Sequence, residues 1–311
     1  MKRKNFLKLL PLIPLTASSM NLNELHKLTD PLATGSKMPV LFLGHGSPMN
    51  AIEQNEFSKG WAAIGKQLPR PAAILCVSAH WETQGTFITA MERPETIHDF
   101  SGFPKELYDV QYPAPGSPEL AGETSNMIQH SKVALDENWG LDHGCWSVLK
   151  HLYPYADIPV LQLSLDRSQS PQFHYDLAKE LAPLREKGIL IVGSGNMVHN
   201  LRIMNWNTPE QGFDWAMEAN DSFKKLISKN EHNSLIQYKS LGSAIQQAVP
   251  TPEHYLPLLY TLGLKNGKDT VTFFNDKTIM GSISMTSLTV SYTHLRAHET
   301  DSYLVCRLLL E

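Results

Sequence analysis

Four histidines, each set in a short punctuated motif, are the residues of this chain best suited to chemistry. They are His45 in Gly-His-Gly-Ser-Pro, His80 in Ser-Ala-His-Trp-Glu, His199 in Gly-Asn-Met-Val-His-Asn and His254 in Thr-Pro-Glu-His-Tyr. Neutral imidazole is a common ligand for zinc, iron, copper and nickel, so histidines arriving from distant parts of a chain point to a metal site. The first three each follow an apolar run that reads as a buried strand: Val40 to Leu43, Ala73 to Val77 and Ile189 to Val192. In an open α/β sheet, side chains just past the carboxyl ends of strands meet in one crevice, where ligands bind. Taken singly, each histidine also has a bland reading: a turn residue at His45, a satisfied core histidine at His80. Their shared position at strand ends favours the metal.

His254 follows Thr251-Pro252-Glu253, where Thr251 suits an N-cap and Pro252 a first helical position, which predicts His254 in the first turn of a helix. A fifth candidate, His143 in Asp142-His143-Gly144-Cys145-Trp146, stands just before another helix and could bond a substrate oxygen or orient a ligand. His98 lies in a loop and could act similarly as a substrate-binding residue. His151, His174 and His232 read as helix-surface or loop residues without a role. Glu82 and Glu253 are the carboxylates nearest these histidines, and either could complete a two-histidine, one-carboxylate triad.

The elements that must position these residues alternate. Strands are expected at 39–44, 71–79, 158–165, 188–194, 269–275 and 280–286, and helices at 54–67, 117–131, 145–152, 171–186, 210–229, 235–247 and 253–262. Ser117-Pro118 and Ser170-Pro171 each put a capping residue before a proline at the first helical position. Such alternation predicts an α/β protein with a largely parallel or mixed sheet covered on both faces, in a single domain. The stretch 81–116 lacks periodicity but is rich in aromatics and prolines, which suits a binding loop forming an apolar wall beside the crevice.

Composition narrows the function classes. With 311 residues, 42% hydrophobic and 19% charged, the chain reads as globular. A net charge of -4 without a basic stripe argues against nucleic acid. No apolar run reaches the ~18 residues a membrane span needs. Three cysteines without a Cys-x-x-Cys argue against a disulfide framework, and Cys76, inside an apolar strand, reads as a buried thiol.

Both ends stand apart from the domain expected over 38–288. Residues 1–37 open with Met-Lys-Arg-Lys, an apolar stretch and Ala17-Ser18-Ser19, the outline of a signal peptide weakened by Lys8 and two prolines. The cytoplasm is the favoured compartment, with a periplasmic or exported location left open by that start. Residues 289–311 include Val290-Ser-Tyr-Thr-His-Leu295, which resembles the translation of a sequencing-adapter end, so this tail is expected to be foreign to the natural protein. His294 and His298 are therefore not counted as ligands.

The motifs around the histidines extend to His98-Asp-Phe-Ser-Gly-Phe-Pro104, Tyr112-Pro-Ala-Pro-Gly116 and Leu141-Asp-His-Gly144. Together, and in this order, they resemble the class III extradiol ring-cleaving dioxygenases, in their bacterial DOPA 4,5-dioxygenase-like branch, from about Pro39 to Ser287. The resemblance implies a three-layer α/β/α fold with a central mixed sheet and one mononuclear divalent metal. It implies ligands at His45, His80 and His254, an acid/base residue at His199 that could also approach the metal, and at His143 a catalytic residue that lines the substrate pocket and could return a proton. It also implies a catechol such as DOPA and O2 as reactants. His254 stands where better-known Fe(II) relatives carry a carboxylate, so zinc is expected as found and Fe(II) for oxygen chemistry, because zinc has no accessible redox change. A zinc-dependent hydrolase using the same histidines to activate water, or a non-enzymatic binding protein, are the competing readings. A homo-oligomer is compatible with the sequence.

Overall fold

Six strands make the central sheet of the computed structural model, which describes residues 37–292. They are β1 (Val40–Gly44), β2 (Ala73–Ser78), β3 (Val160–Gln162), β4 (Ile189–Gly195), β5 (Thr270–Phe274) and β6 (Ser287–Ser291). Their spatial order is β3-β2-β4-β1-β6-β5. The first four run parallel, while β6 lies antiparallel between β1 and β5. The sheet is thus mixed, and all four parallel strands send their carboxyl ends to one edge.

Strands β1, β2 and β4 are buried along their whole length, as their near-continuous apolar sequences require of strands covered on both faces. Successive side chains alternate between those faces. Leu41, Leu43, Ile74, Cys76, Leu190 and Val192 turn to one side, where they pack with Trp61 of helix α1 (Glu56–Gln67) and Trp146 and Leu149 of a second covering helix, His143–Leu152. Val40, Phe42, Leu75, Val77 and Ile191 turn to the other side, against Leu177, Phe223 and Leu258. The expected α/β/α layering is therefore present, and Cys76 and Cys145 are buried free thiols within it.

The remaining principal helices are α2 (Pro118–Met127), α3 (the His143–Leu152 helix), α4 (Pro171–Glu180), α5 (Asp214–Ser228) and α6 (Leu256–Gly263). Ser117 and Ser170 cap α2 and α4, accepting bonds from Leu120 N and Phe173 N. Each such cap stabilises its helix by about 1 kcal/mol.

Several expectations are corrected. The run 280–286 is not a strand of the central sheet: Met280 and Gly281 have φ of 51° and 78°, and Ile283–Ser284 pairs with Thr278–Ile279 and bridges to His199 instead. The sheet strand comes later, as the alternating Ser-Leu-Thr-Val-Ser of β6, which carries the fold to Ser291 and past the expected domain end at 288. Residues 289–291 of the supposed foreign tail therefore pair within the sheet. The rest of that tail, from 293, and the signal-like start up to residue 36 lie outside the described residues. The helix expected over 235–247 is broken at Gly242, whose φ is 104°, into His232–Ile236 and Ser243–Ala248. Helix α6 starts at Leu256, so His254 precedes it rather than occupying its first turn. The stretch 81–116 is less bare than expected: Thr86–Thr89 pairs with Val133–Asp136, and Lys105–Tyr108 forms a helical turn. Among the described residues no helix is long and apolar enough to cross a membrane.

Candidate metal centre

His45 sits in the turn leaving β1. Gly46 there has φ +60°, in the left-handed region that favours glycine. The Gly44 N–H donates to Ser287 Oγ at 3.0 Å, which ties the turn to β6. The His45 ring is buried, with Nδ1 3.0 Å from Ser194 Oγ at the end of β4. That hydroxyl gives its single proton to the Gly144 carbonyl at 2.6 Å. His45 Nδ1 must therefore carry the hydrogen of their bond, and Nε2 is left as a bare lone pair.

His80 follows β2, and its Nε2 lies 3.0 Å from His45 Nε2. Its Nδ1 faces Asp99 Oδ2 at 3.5 Å, an electrostatic contact rather than a hydrogen bond. In the metal-free pair His80 Nε2–H can donate to the bare His45 Nε2, and a bound cation would replace that hydrogen between the two nitrogens. Nitrogens bound at about 2.0–2.1 Å to one metal lie about 3 Å apart, as these do.

His254 reaches the same place from the turn before α6. Asn196 N–H donates to its carbonyl at 2.8 Å, and its Nδ1 lies 3.2 Å from Glu253 Oε1, which also accepts from Thr251 Oγ1. The ring centroids of His45, His80 and His254 form a near-equilateral triangle with sides of 5.0, 5.0 and 5.3 Å. Rings bound to one tetrahedral metal through Nε2 have centroids about 5 Å apart. The donor set therefore fits a single divalent ion.

His143 and His199 flank this triangle. The His143 ring lies 3.8 Å from that of His80, and the His199 ring stacks on His254 at 3.5 Å with a 10° tilt. Potential ligand atoms of His45, His80 and His143 lie within 4.8 Å of one another, as do those of His199, Glu253 and His254. Proximity alone would thus draw two different triads. The two triads differ from the triangle in ring spacing: each contains a pair of rings under 4 Å apart, closer than the about 5 Å of rings that share one tetrahedral metal through Nε2.

Burial holds the imidazoles of His45, His80, His199 and His254 neutral. It pushes His45 and His254 well below 6.5, reinforced by the neighbouring histidines. Burial and then His143 bring His80 down to about 3. Burial lowers His199 to about 4 against the opposing charge of Glu253. Neutral imidazole is the form that binds metal or takes up a proton.

Two aspartates hold the frame. Asp142 caps α3 through Cys145 N at 3.0 Å and accepts from Ser78 Oγ and Gln162 Nε2, each at 2.6 Å, which locks the helix start to the ends of β2 and β3. Asp99, in the long loop, accepts from His143 Nδ1 at 2.9 Å and from the His143 backbone N–H at 2.8 Å. Burial pushes the Asp99 carboxyl up, but the bonds from His143 outweigh it and hold the group below the usual range. Neither aspartate was singled out in the sequence, although both lie inside quoted motifs. The N-cap position before α3 could have flagged Asp142; nothing in the sequence could have flagged Ser194.

His98 does not join the cluster. Its Nε2 lies 3.0 Å from the Val110 carbonyl, and its ring packs on Phe100, Tyr108 and Trp146. Phe100 stands edge-on to His143, 5.5 Å away, and with Phe103 and Tyr108 forms the aromatic wall expected of this loop. Glu82 is exposed. Burial and then Glu253 raise its carboxyl. His151, His174 and His232 bond Asn50 O, Tyr260 OH and Tyr175 OH away from the centre.

A three-layer α/β/α fold with imidazoles gathered at the carboxyl edge of its sheet defines a metal-dependent enzyme. Residues 39–288 match the family described as catalytic LigB subunit of aromatic ring-opening dioxygenase. The chain is 47% identical over 266 residues to a protein of Escherichia coli (strain K12) named 4,5-DOPA dioxygenase extradiol, covering 84% of this chain and 97% of the relative. A protein of the same name from Beta vulgaris is 36% identical over 230 residues, covering 71% and 85%. The crystal structure of an uncharacterized Escherichia coli K12 protein aligns with a TM-score of 0.72 and 44% identity, covering 82% of this chain and all of that one. The chain belongs to the LigB family of aromatic ring-opening dioxygenases. The family and fold implied by its histidine motifs are borne out.

Proposed function

We propose that this enzyme opens the ring of a catechol bearing an amino-acid side chain, such as DOPA, between His199 and the aromatic wall around Phe100. The observation that carries this reading is the near-equilateral triangle of His45, His80 and His254, with two further imidazoles beside it and outside its ligand geometry. We assign the three as metal ligands. Zinc suits these nitrogens as a resident ion, whereas Fe(II) supplies the redox step that couples a catechol to O2. The substrate choice rests on the relatives named 4,5-DOPA dioxygenase extradiol.

The chain's own residues then have distinct tasks. A catechol binds through both oxygens only after losing hydroxyl protons. His199, neutral at pH 7, accepts one of them as a general base and holds it for return. His143, with its hydrogen held on Nδ1 by Asp99, offers Nε2 as an acceptor to the second hydroxyl. Phe100 presents its ring to the aromatic substrate, and His98 braces the loop that carries it.

The test is oxygen consumption by metal-stripped protein reloaded with Fe(II) under anaerobic conditions. The expected result is one O2 consumed per L-DOPA with formation of a yellow ring-opened product, and none with zinc. Turnover of a substrate without O2 would instead support a zinc hydrolase. Fe(II) binding with no oxygen uptake on any catechol would support a binding protein.

A further inference from the structure

One carboxylate touches both flanks of the ligand His80. Asp99 Oδ2 lies 2.9 Å from His143 Nδ1 and 3.5 Å from His80 Nδ1, while Oδ1 accepts the His143 backbone N–H at 2.8 Å. The Asp99 side chain is 16% exposed and those of His143 and His80 are 7% and 19% exposed, so water competes weakly for these contacts. Asp99 is also attached to the substrate wall, since Phe100, the next residue, packs edge-on to His143.

The hydrogen bond at one imidazole nitrogen sets which nitrogen keeps its lone pair. An ionised carboxylate can only accept, so it draws hydrogen to Nδ1 of any histidine facing it. We propose that Asp99 is a positioning residue that fixes the tautomers of two imidazoles at once. It turns the Nε2 lone pair of His80 toward the metal and that of His143 toward the substrate. This rests on the ligand assignment above and extends it to a residue that touches neither metal nor substrate. An asparagine here would present one accepting and one donating atom. Its N–H would favour a bare Nδ1, and thus a blocked Nε2, on whichever ring it faced.

The experiment uses the full chain with 15N-labelled histidine. Long-range 1H–15N spectra of the metal-free and Zn2+-bound protein read the tautomers, and competition against a chelating dye reads affinity for Zn2+ alone. The wild type is expected to show His143 with hydrogen on Nδ1 in the metal-free protein, and His80 with hydrogen on Nδ1 once Zn2+ is bound. Asp99→Asn is expected to shift His143 toward hydrogen on Nε2 and to weaken Zn2+ binding about 10–100-fold. Asp99→Glu, which keeps the carboxylate, should restore affinity to within a few-fold of wild type. Wild-type protein with hydrogen on Nε2 of His143 would overturn the proposal, even if the asparagine variant failed to fold. So would a folded asparagine variant with unchanged tautomers and unchanged Zn2+ affinity, which would leave Asp99 as a loop anchor. None of these readouts needs substrate. A wild type that behaves as expected here but does not consume O2 would count against the ring-opening reading and leave the role of Asp99 standing.

Discussion

His143 and His199 each stand beside a histidine of the central triangle, at 3.8 Å from His80 and 3.5 Å from His254. Behind His143 is Asp99, bonded to its ring and its backbone. His199 is held by its backbone N–H, which donates to the Ala248 carbonyl, while among the described residues its ring shows stacking and no hydrogen bond. On the proposed function, the difference teaches how one pocket would divide its labour. A ring bonded at Nδ1 has its orientation and tautomer set in advance, which suits a group that must hold a substrate oxygen. A ring held by stacking alone can change protonation without breaking a network, which suits a group that takes and returns a proton.

The comparison breaks most completely at the triangle, on which both flanks depend. His45→Ala should abolish metal binding and lower activity by at least about 1,000-fold, read as metal content and oxygen uptake on one sample. Separating the flanks comes next. His199→Ala should lower kcat by roughly 100–10,000-fold while keeping the metal. If the metal is lost instead, His199 is a ligand and the division of labour fails. His143→Ala should cost less, about 10–100-fold, with a larger share in KM, because on the proposed function it removes a substrate-holding acceptor rather than the base.

Acid should sharpen the comparison through stability. In the unfolded chain each histidine takes up a proton as pH falls through 6.5; in the folded metal-free protein His199 and His174 resist until about 4 and His80 until about 3. The unfolded state binds more protons in that window, so stability must fall as pH falls below 6.5, with a slope that eases near 4 as His199 and His174 protonate and again near 3 as His80 does. Each histidine contributes up to roughly 1.4 kcal/mol per pH unit. Urea midpoints of metal-free protein across this range would show the slope, and His199→Ala should flatten it.

The smallest effects concern backbone space. A Cβ on Gly144 would lie 2.4 Å from Ser78 Oγ and 2.8 Å from His80 Cδ2, so Gly144→Ala should destabilise by about 1–3 kcal/mol and disturb the His80 flank first. Gly122, within α2, has open space around it, and Gly122→Ala should stabilise by roughly 0.5–1 kcal/mol. Thermal melts of the two variants should move in opposite directions.

Much of this frame was legible in the sequence because its signals are local. The runs before His45, His80 and His199 are strands within a residue or two of expectation, and the serine caps of α2 and α4 form as read. Convergence of the histidines followed from strand polarity. The failures share a different cause. His254 was misplaced because Thr251 and Pro252 mimic a helix start, whereas Thr251 bonds Glu253 and the helix begins beyond. The closing strand is cut in two by the expected domain end: Ser287 and Leu288 fall inside it, while 289–291 fall in the tail set apart for its likeness to foreign sequence, although the alternation runs through both. Asp99 and Ser194 act through partners 44 and 149 residues away, and no window of sequence contains those distances.

That closing strand bears on how the protein is made. β6 is among the last described segments to be synthesised, yet it supplies the neighbour of β1, the first, and Ser287 holds the backbone beside His45. On the ribosome, the strand that delivers His45 waits with one edge unpaired until nearly 250 further residues have emerged. A nascent chain stalled before Ser287 should therefore expose that edge and bind a divalent metal poorly, which would place metal loading at the end of translation.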